Sequence, residues 1–257
     1  MSLARAEKLR PFLAAWEPHT VATSARLRRL GITAQDVQNY VSTGWLQALG
    51  RGAYKRPHET VTWQGALYSL QSQLDLPVHI GAPTALELSG RGHYLRFGGS
   101  IAYLFSPPAI ALPLWFRTHW GTQVRHVQSG FLPATMGLTE RDGVEGFPLK
   151  AATPERAILE MLHLAPNVFD LVESFSIVEG MTTLRPALMQ QLLEACGSVK
   201  VKRLFLYFAE RADLPIMRHL DAGAIDLGKG DRSLTRMGRY VAKYRLLLPK
   251  ELVGSGG

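Results

Sequence analysis

The sequence predicts an α+β chain in which an N-terminal winged helix-turn-helix domain, residues 1–92, precedes a mixed α/β domain over residues 93–253. Three observations predict it. Between Val21 and Arg56 the pattern runs from a short helix through a glycine turn to a capped second helix, then to two strand-like runs about Gly50-Arg51-Gly52. From Gly99, short β-prone runs separated by proline and glycine turns give way to helices and then to strands again. The 257 residues, 46% of them hydrophobic, suit two cores better than one.

Taken in order, Ser2 can cap a helix over 3–16 that aligns Leu3, Ala6, Leu9 and Leu13 on one stripe and is bent at Pro11. This helix is expected to back the two that follow. Thr23 or Ser24 starts the first of these, and Gly31, the residue type favoured just past a helix end, stops it. Thr33-Ala34-Gln35-Asp36 then reads as a capping box, with Asp36 complementing the helix dipole. In the second helix Val37 and Val41, helped by Ile32, are expected to form the buried face, leaving Gln35, Gln38, Asn39 and Ser42 outward. Trp45–Leu49 and Ala53–Arg56 make the strands of a wing with Arg51 at its tip.

Gln and Asn make paired hydrogen bonds to an adenine edge in the major groove, so this outward face suits base readout. Arg26, Arg28 and Arg29 suit phosphate contact, and Arg51 suits a minor groove or a phosphate backbone. Thr33 and Lys55 complete the candidate DNA-contact set. An amide-rich face flanked by arginines also fits a solvated surface, and Gly-Arg-Gly alone fits any β-turn. The order and spacing of the parts together favour double-stranded DNA.

Further along, Trp63, Ala66, Leu67, Leu70 and Leu74 recur at helical spacing until Pro77, a short helix is expected over Pro83–Leu88, and the glycines of 89–92 mark the boundary. Ile101–Phe105, Leu114–Phe116 and Val124–Val127 read as strands of a small sheet. Glu140, Asp142 and Glu145 read as a solvated loop. Thr153 as cap with Pro154 at the first position opens a helix ending near Ala165-Pro166. Helices follow at Val168–Val178, Pro186–Ala195 and Val199–Glu210, then strands at Ala224–Leu227 and Tyr244–Leu248. The tail 254–257 reads as flexible.

The net charge of +8 is uneven: residues 1–60 carry +5, residues 61–199 carry −3 and residues 200–257 carry +6. A basic N-terminal module fits nucleic acid, and the basic C-terminal region fits either reinforcement of that contact or another acidic partner. A single cysteine, Cys196, excludes an intramolecular disulfide framework, and neither a signal-type apolar core nor a membrane-length apolar run is present, so the expected location is the cytoplasm.

Catalytic patterns are missing. A nucleotidyltransferase needs a Gly-Ser turn followed by paired acidic residues for magnesium, yet Gly99-Ser100 leads into Ile101–Leu112 without one Asp or Glu. Gly228-Lys229-Gly230 lacks the spacing of a phosphate-binding loop. The eight histidines are dispersed without other ligand types at metal-site spacing, and Cys196 has no histidine-rich neighbourhood. The reading is therefore a non-enzyme with no metal and no cofactor.

The stretch "LRRLGIT...VQNYVSTGWLQALGRGAYKRP" resembles the N-terminal domain of the AbiEi family, the antitoxins of type IV abortive-infection toxin–antitoxin pairs. Downstream, "AATPERAILEML" at Ala151–Leu162, "VKRLFLYFAE" at Val201–Glu210, "DLGKG" at Asp226–Gly230 and "YRLLLPKEL" at Tyr244–Leu252 resemble the family's C-terminal domain in type and order. The resemblance rests on these segments together and spans nearly the whole chain. It implies an antitoxin that represses its own operon through inverted repeats in the promoter. Its functional partner would be a nucleotidyltransferase-like AbiEii toxin, countered without a stable direct complex. In the C-terminal region Lys200, Lys202, Arg203, Arg211 and Arg218 are expected on a positive helical surface beside a basic loop of Lys229, Arg232, Arg236 and Arg239, which fits a solvated face as well as a functional one; the resemblance implies that antitoxicity resides in this domain, with Lys200, Lys202 and Arg203 as its candidate residues. The alternative is a DNA-binding regulator whose C-terminal domain senses a ligand or dimerises, with no toxin partner; a third class, a nucleic-acid-processing enzyme, would require metal-dependent turnover. A nucleotidyltransferase-like gene beside this one separates the first reading from the second.

Overall fold

The structure, a computed structural model, describes residues 11–91 and 101–253. The start of the expected 3–16 helix, most of the boundary region and the 254–257 tail lie outside the described residues. Packing sorts the chain into two units, each drawn from separate stretches: Met1–Val78, Ser100–Gln128 and Glu140–Lys150 in the first, and His79–Gly99, Ser129–Thr139 and Ala151–Gly257 in the second. Each is described by itself.

In the first unit, β1 (Ala22–Thr23) leads into α1 (Ser24–Arg29) and α2 (Ala34–Ser42), and β2 (Gln47–Gly50) and β3 (Ala53–Lys55) form the wing. β3 is the central strand of an antiparallel sheet, pairing with β1 through Tyr54 and Ala53 and with β2 across a register shift between Ala48 and Gly50. Phe12, Trp16, Leu27, Ile32, Val37, Tyr40 and Leu46 form the core of this module. Residues 11–14 are helical, and Phe12 and Trp16 carry the burial there while Leu13 is only half-buried.

α3 (Trp63–Gln73) is capped by Thr62, whose hydroxyl accepts from the Gly65 amide at 3.2 Å. Its apolar stripe was legible, but Gln64, Ser69, Gln71 and Gln73 are buried as well. These polar side chains bond to backbone. Ser69 Oγ accepts from Val21 N at 2.9 Å, Gln73 Oε1 accepts from Thr23 N at 2.9 Å, and Gln73 Nε2 donates to Val21 O at 2.7 Å. Gln71 donates to Val78 O at 2.8 Å and accepts from Lys150 N at 3.0 Å, and Gln64 accepts from Val144 N at 2.7 Å. One helix thus satisfies backbone groups from three other stretches of chain.

Two expectations in this unit are corrected. Leu114–Phe116 begins a helix, Leu114–Trp120, because Trp115, Phe116 and Trp120 share burial at helical spacing. Gly50 of β2 lies against it, where an added Cβ would stand 3.1 Å from that of Trp115. The acidic stretch from Glu140 is partly strand, Leu138–Asp142, and Glu145 accepts from Thr62 Oγ1 at 2.7 Å. Ala102–Ser106 and Val124–Gln128 pair in parallel as strands.

In the second unit the helix Pro154–Leu164 is buried along most of its length and packs against the helices Ala82–Leu86, Leu171–Glu179, Pro186–Ala195 and Val199–Arg211. Thr153 occupies the cap position but its side chain makes no capping bond. Leu171–Glu179 starts later than expected because Asp170, not a residue near Val168, accepts from the Val172 and Glu173 amides at 2.7 and 3.2 Å. Ala224–Leu227 is not a strand: Asp221 caps a single 3₁₀ turn at Ala222–Ala224. The expected terminal strand is Leu246–Leu248, flanked by Arg239–Val241 antiparallel and Arg232–Ser233 parallel. Fully buried Glu160 accepts from Arg156 Nε at 2.7 Å and from the Ala82 amide at 3.1 Å, and lies 2.8 Å from His79 Nε2.

Gln73→Ala would orphan the Val21 carbonyl and the Thr23 amide, so it is expected to lower stability by about 2–4 kcal/mol, read as a drop in the urea midpoint at unchanged slope. Burial acts to raise the Glu160 pKa, but His79 and Arg156 outweigh it and hold the carboxyl below the usual carboxylate range. Its stabilisation is therefore complete at neutral pH and lost as pH falls through the lowered folded value. Glu160→Gln is expected to cost about 3–5 kcal/mol at neutral pH and to flatten the loss of stability on acidification, measured by urea unfolding at stepped pH.

Candidate nucleic-acid interface

α2 is fixed at its start by a reciprocal capping box. Thr33 Oγ1 accepts from Asp36 N at 3.1 Å while Asp36 Oδ2 accepts from the Thr33 amide at 3.1 Å and from its hydroxyl at 2.8 Å. This engages Thr33 within the cap, although its residue surface is exposed. The buried face is Asp36, Val37 and Tyr40. Val41, expected beside Val37, is exposed at 37%, because Tyr40 fills the core position one residue earlier in the turn. Gln35, Gln38 and Ser42 are exposed, and among the described residues neither glutamine amide has an internal partner. Asn39 is half-buried, with a Nδ2 that finds no partner among the described residues and a backbone carbonyl that accepts from Ser42 Oγ at 3.0 Å and Thr43 Oγ1 at 2.6 Å.

The structure divides the expected phosphate-contact cations into two groups. Arg26 donates to Ala15 O at 2.8 Å, Arg29 donates to Gln73 O, and Lys55 donates to Glu59 O at 2.7 Å. These three are tethered to backbone carbonyls. Arg28 makes only a 3.4 Å contact from Nε to Ser24 O, and Arg51 sits exposed on the wing turn with no internal partner among the described residues. Arg28 and Gln38 border one cleft of about 320 Å³, together with Ser24 and Tyr54, neither of which the sequence marked as a contact residue. Tyr54 could have been found from its register opposite Ala22 and Ala48 on the central strand; Ser24 stood out only as an alternative helix cap, a part that Thr23 takes.

In the second unit, Lys200, Lys202 and Arg203 do not form the expected exposed basic face. Residues 201–209 of their helix are all buried. Lys202 donates to Asp226 O at 2.8 Å, half-buried Lys200 donates to His163 O at 2.7 Å and to Ala165 O, and Arg203 is 1% exposed. The Arg203 guanidinium donates to Leu227 O at 2.9 Å, Gly228 O at 3.1 Å, Gly230 O at 2.7 Å and Arg245 O at 3.3 Å. Gly228 and Gly230, at φ of 62° and 72°, turn the loop so that its carbonyls converge on that fork. The Asp226–Gly230 motif is thus a cradle for a buried cation, and the charge is neutralised by carbonyl dipoles instead of solvent.

The short helix pair, the three-stranded antiparallel sheet and the glycine turn define a winged helix-turn-helix protein. Residues 5–97 match the family described as the N-terminal domain of AbiEi antitoxin transcriptional regulators, and residues 100–249 match the family described as the transcriptional regulator AbiEi antitoxin of type IV toxin–antitoxin systems. The chain belongs to the AbiEi antitoxin family. In fold it is similar to the crystal structure of the RV2827C protein from Mycobacterium tuberculosis, at a TM-score of 0.60 and 16% identity, covering 96% of this chain and 92% of that one. No curated protein matches. Among the described residues no helix is long and apolar enough to cross a membrane.

Arg203→Lys keeps the charge but loses the planar fork, leaving at least one of the four carbonyls short of a donor. It is expected to lower thermal stability by the equivalent of about 2–4 kcal/mol, checked by calorimetry; an unchanged melting temperature would show that the fork does not hold the loop.

Proposed function

We propose that this chain is the antitoxin of a type IV toxin–antitoxin operon and the repressor of that operon, binding inverted repeats in the promoter through the winged helix of residues 1–92. Residues 93–253 supply antitoxicity toward a nucleotidyltransferase-like AbiEii toxin, which is countered without a stable complex. No catalytic activity enters this reading. Lys202 and Arg203 contribute to it indirectly, by holding the 226–230 loop in shape, and Lys200 by bonding the carbonyls of His163 and Ala165 at the end of the Pro154–Leu164 helix.

The observation that carries the DNA half is the outward side of α2. Gln35, Gln38 and Ser42 stand at i, i+3 and i+7, a spacing that keeps them on one helical face, with Arg28 and Arg51 as the two candidate cations least engaged internally. The test is a titration of the purified protein on the duplex upstream of its own gene against a scrambled duplex, with competitor present. Selective binding supports the reading; equal or absent binding removes promoter recognition from it. Gln38→Ala is expected to reduce discrimination between the two duplexes by about 1–3 kcal/mol. Arg51→Ala should instead weaken binding to both and lower the salt slope by about one unit.

A further inference from the structure

We infer that the cleft bordered by α1, α2 and β3 seats one phosphodiester of the bound duplex, with Arg28 as its charge and the hydroxyls of Ser24 and Tyr54 as its neutral donors. This rests on the DNA reading above and adds two contact residues to it.

The cleft has a polar rim of Ser24, Arg28, Gln38 and Tyr54 over an apolar floor that includes Leu27 and Val37. Neither rim hydroxyl has an internal partner among the described residues. Ser24 is not the cap of α1, since Thr23 Oγ1 takes that part by accepting from Arg26 N at 3.3 Å. Instead the Ser24 amide donates to Gly52 O at 2.9 Å, and an added Cβ at Gly52 would lie 3.5 Å from Ser24 Oγ, so the wing turn and the cleft serine touch. Tyr54 packs against the module core and is half-buried.

The chemistry of this rim selects its occupant. No carboxylate lines the cleft, and the nearby Asp36 carboxylate is turned into the Thr33 cap. A lone guanidinium matches a single negative charge, and two hydroxyls with one primary amide supply further donors at the same opening. The apolar floor suits the carbon face of a deoxyribose. A phosphodiester with its sugar has both characters, and Gln38 makes the rim continuous with the outward amides of α2. The backbone at the cleft would thereby fix the register in which the glutamines meet base edges.

The test uses promoter duplexes that each carry one neutral methylphosphonate, titrated with wild type, Ser24→Ala and Tyr54→Phe. Wild type is expected to lose affinity at each contacted phosphate, one of which in every half-site is the phosphate seated in the cleft. Each variant should bind the unmodified duplex about three- to tenfold more weakly and lose less than wild type at that one phosphate, where only the Arg28 contact is left to lose, while its losses at the other phosphates equal those of wild type. Independent, multiplicative losses at every phosphate would overturn the assignment, as would variants that bind like wild type. Inorganic phosphate at matched ionic strength should compete no better than chloride; stronger competition would give the cleft to a free anion instead. Wild type binding promoter and scrambled duplexes equally, with the single-phosphate pattern intact, would remove promoter reading and leave the phosphate seat standing. Failure to bind any duplex would overturn both. Tyr54→Phe keeps the ring against the core, so an unchanged thermal melt identifies its loss of affinity as the loss of the hydroxyl.

Discussion

β1 is two residues long and pairs with β3 on one side only, so its other edge would bury the Val21 and Thr23 backbone groups without partners were it not for α3. Ser69 and Gln73 stand in for the missing strand, and Gln64 and Gln71 do the same for Val144 and for Val78 and Lys150. Buried backbone amides and carbonyls left unpaired are costly, and a sheet edge is where such groups concentrate. A glutamine offers both a donor and an acceptor, so one side chain can mimic a strand's peptide group. The placement of the winged helix on its own unit therefore depends on the polar residues of α3 as much as on its leucines.

The second unit uses the same device with charge. Glu160 and Arg156 sit in the middle of an apolar helix, and Arg156 also donates to Pro133 O and Met136 O at 2.7 and 2.6 Å. Arg203 holds four carbonyls of the C-terminal loop and strand. Buried ions add little net stability compared with apolar residues, but they are exacting about which backbone groups approach them, which fixes loops that have few apolar contacts of their own. The C-terminal basic sequence is accordingly split between cations that build the fold and exposed ones at Lys229, Arg236 and Arg239.

For the winged-helix module the same economy of donors decides which arginines stay exposed and which are tied to the backbone. Arg26 and Arg29 close gaps between chain segments, Lys55 bonds locally to Glu59 O, and Arg56 donates to Leu13 O at 2.7 Å while lying over the Trp16 ring. Stacking and carbonyl bonds of this kind hold the helix around Phe12 and Trp16 against the wing. A rigid frame of this sort keeps the exposed amides of α2 in a fixed direction.

The sequence by itself determined the order of the winged helix-turn-helix, because caps, glycine turns and helical periodicity are local: Thr23, Thr33, Gly31 and the Gly50–Gly52 turn each act within a few residues. It also determined the outward amides Gln35 and Gln38, whose direction follows from helical spacing alone, and the helices beginning at Pro154, Pro186 and Val199. It misjudged Val41, Leu114–Phe116 and Ala224–Leu227, where one-residue shifts or short apolar runs are settled by the surface they meet. Only the tertiary structure decided that residues 100–128 and 140–150 pack with the N-terminal stretch, that Lys202 and Arg203 point inward, and that Ser24 and Tyr54 share a cleft with Arg28. The reason is common to all three: a charge or a hydroxyl reads as surface in sequence, and becomes core or site only when a distant carbonyl, strand edge or neighbouring side chain is brought within hydrogen-bonding or packing distance of it.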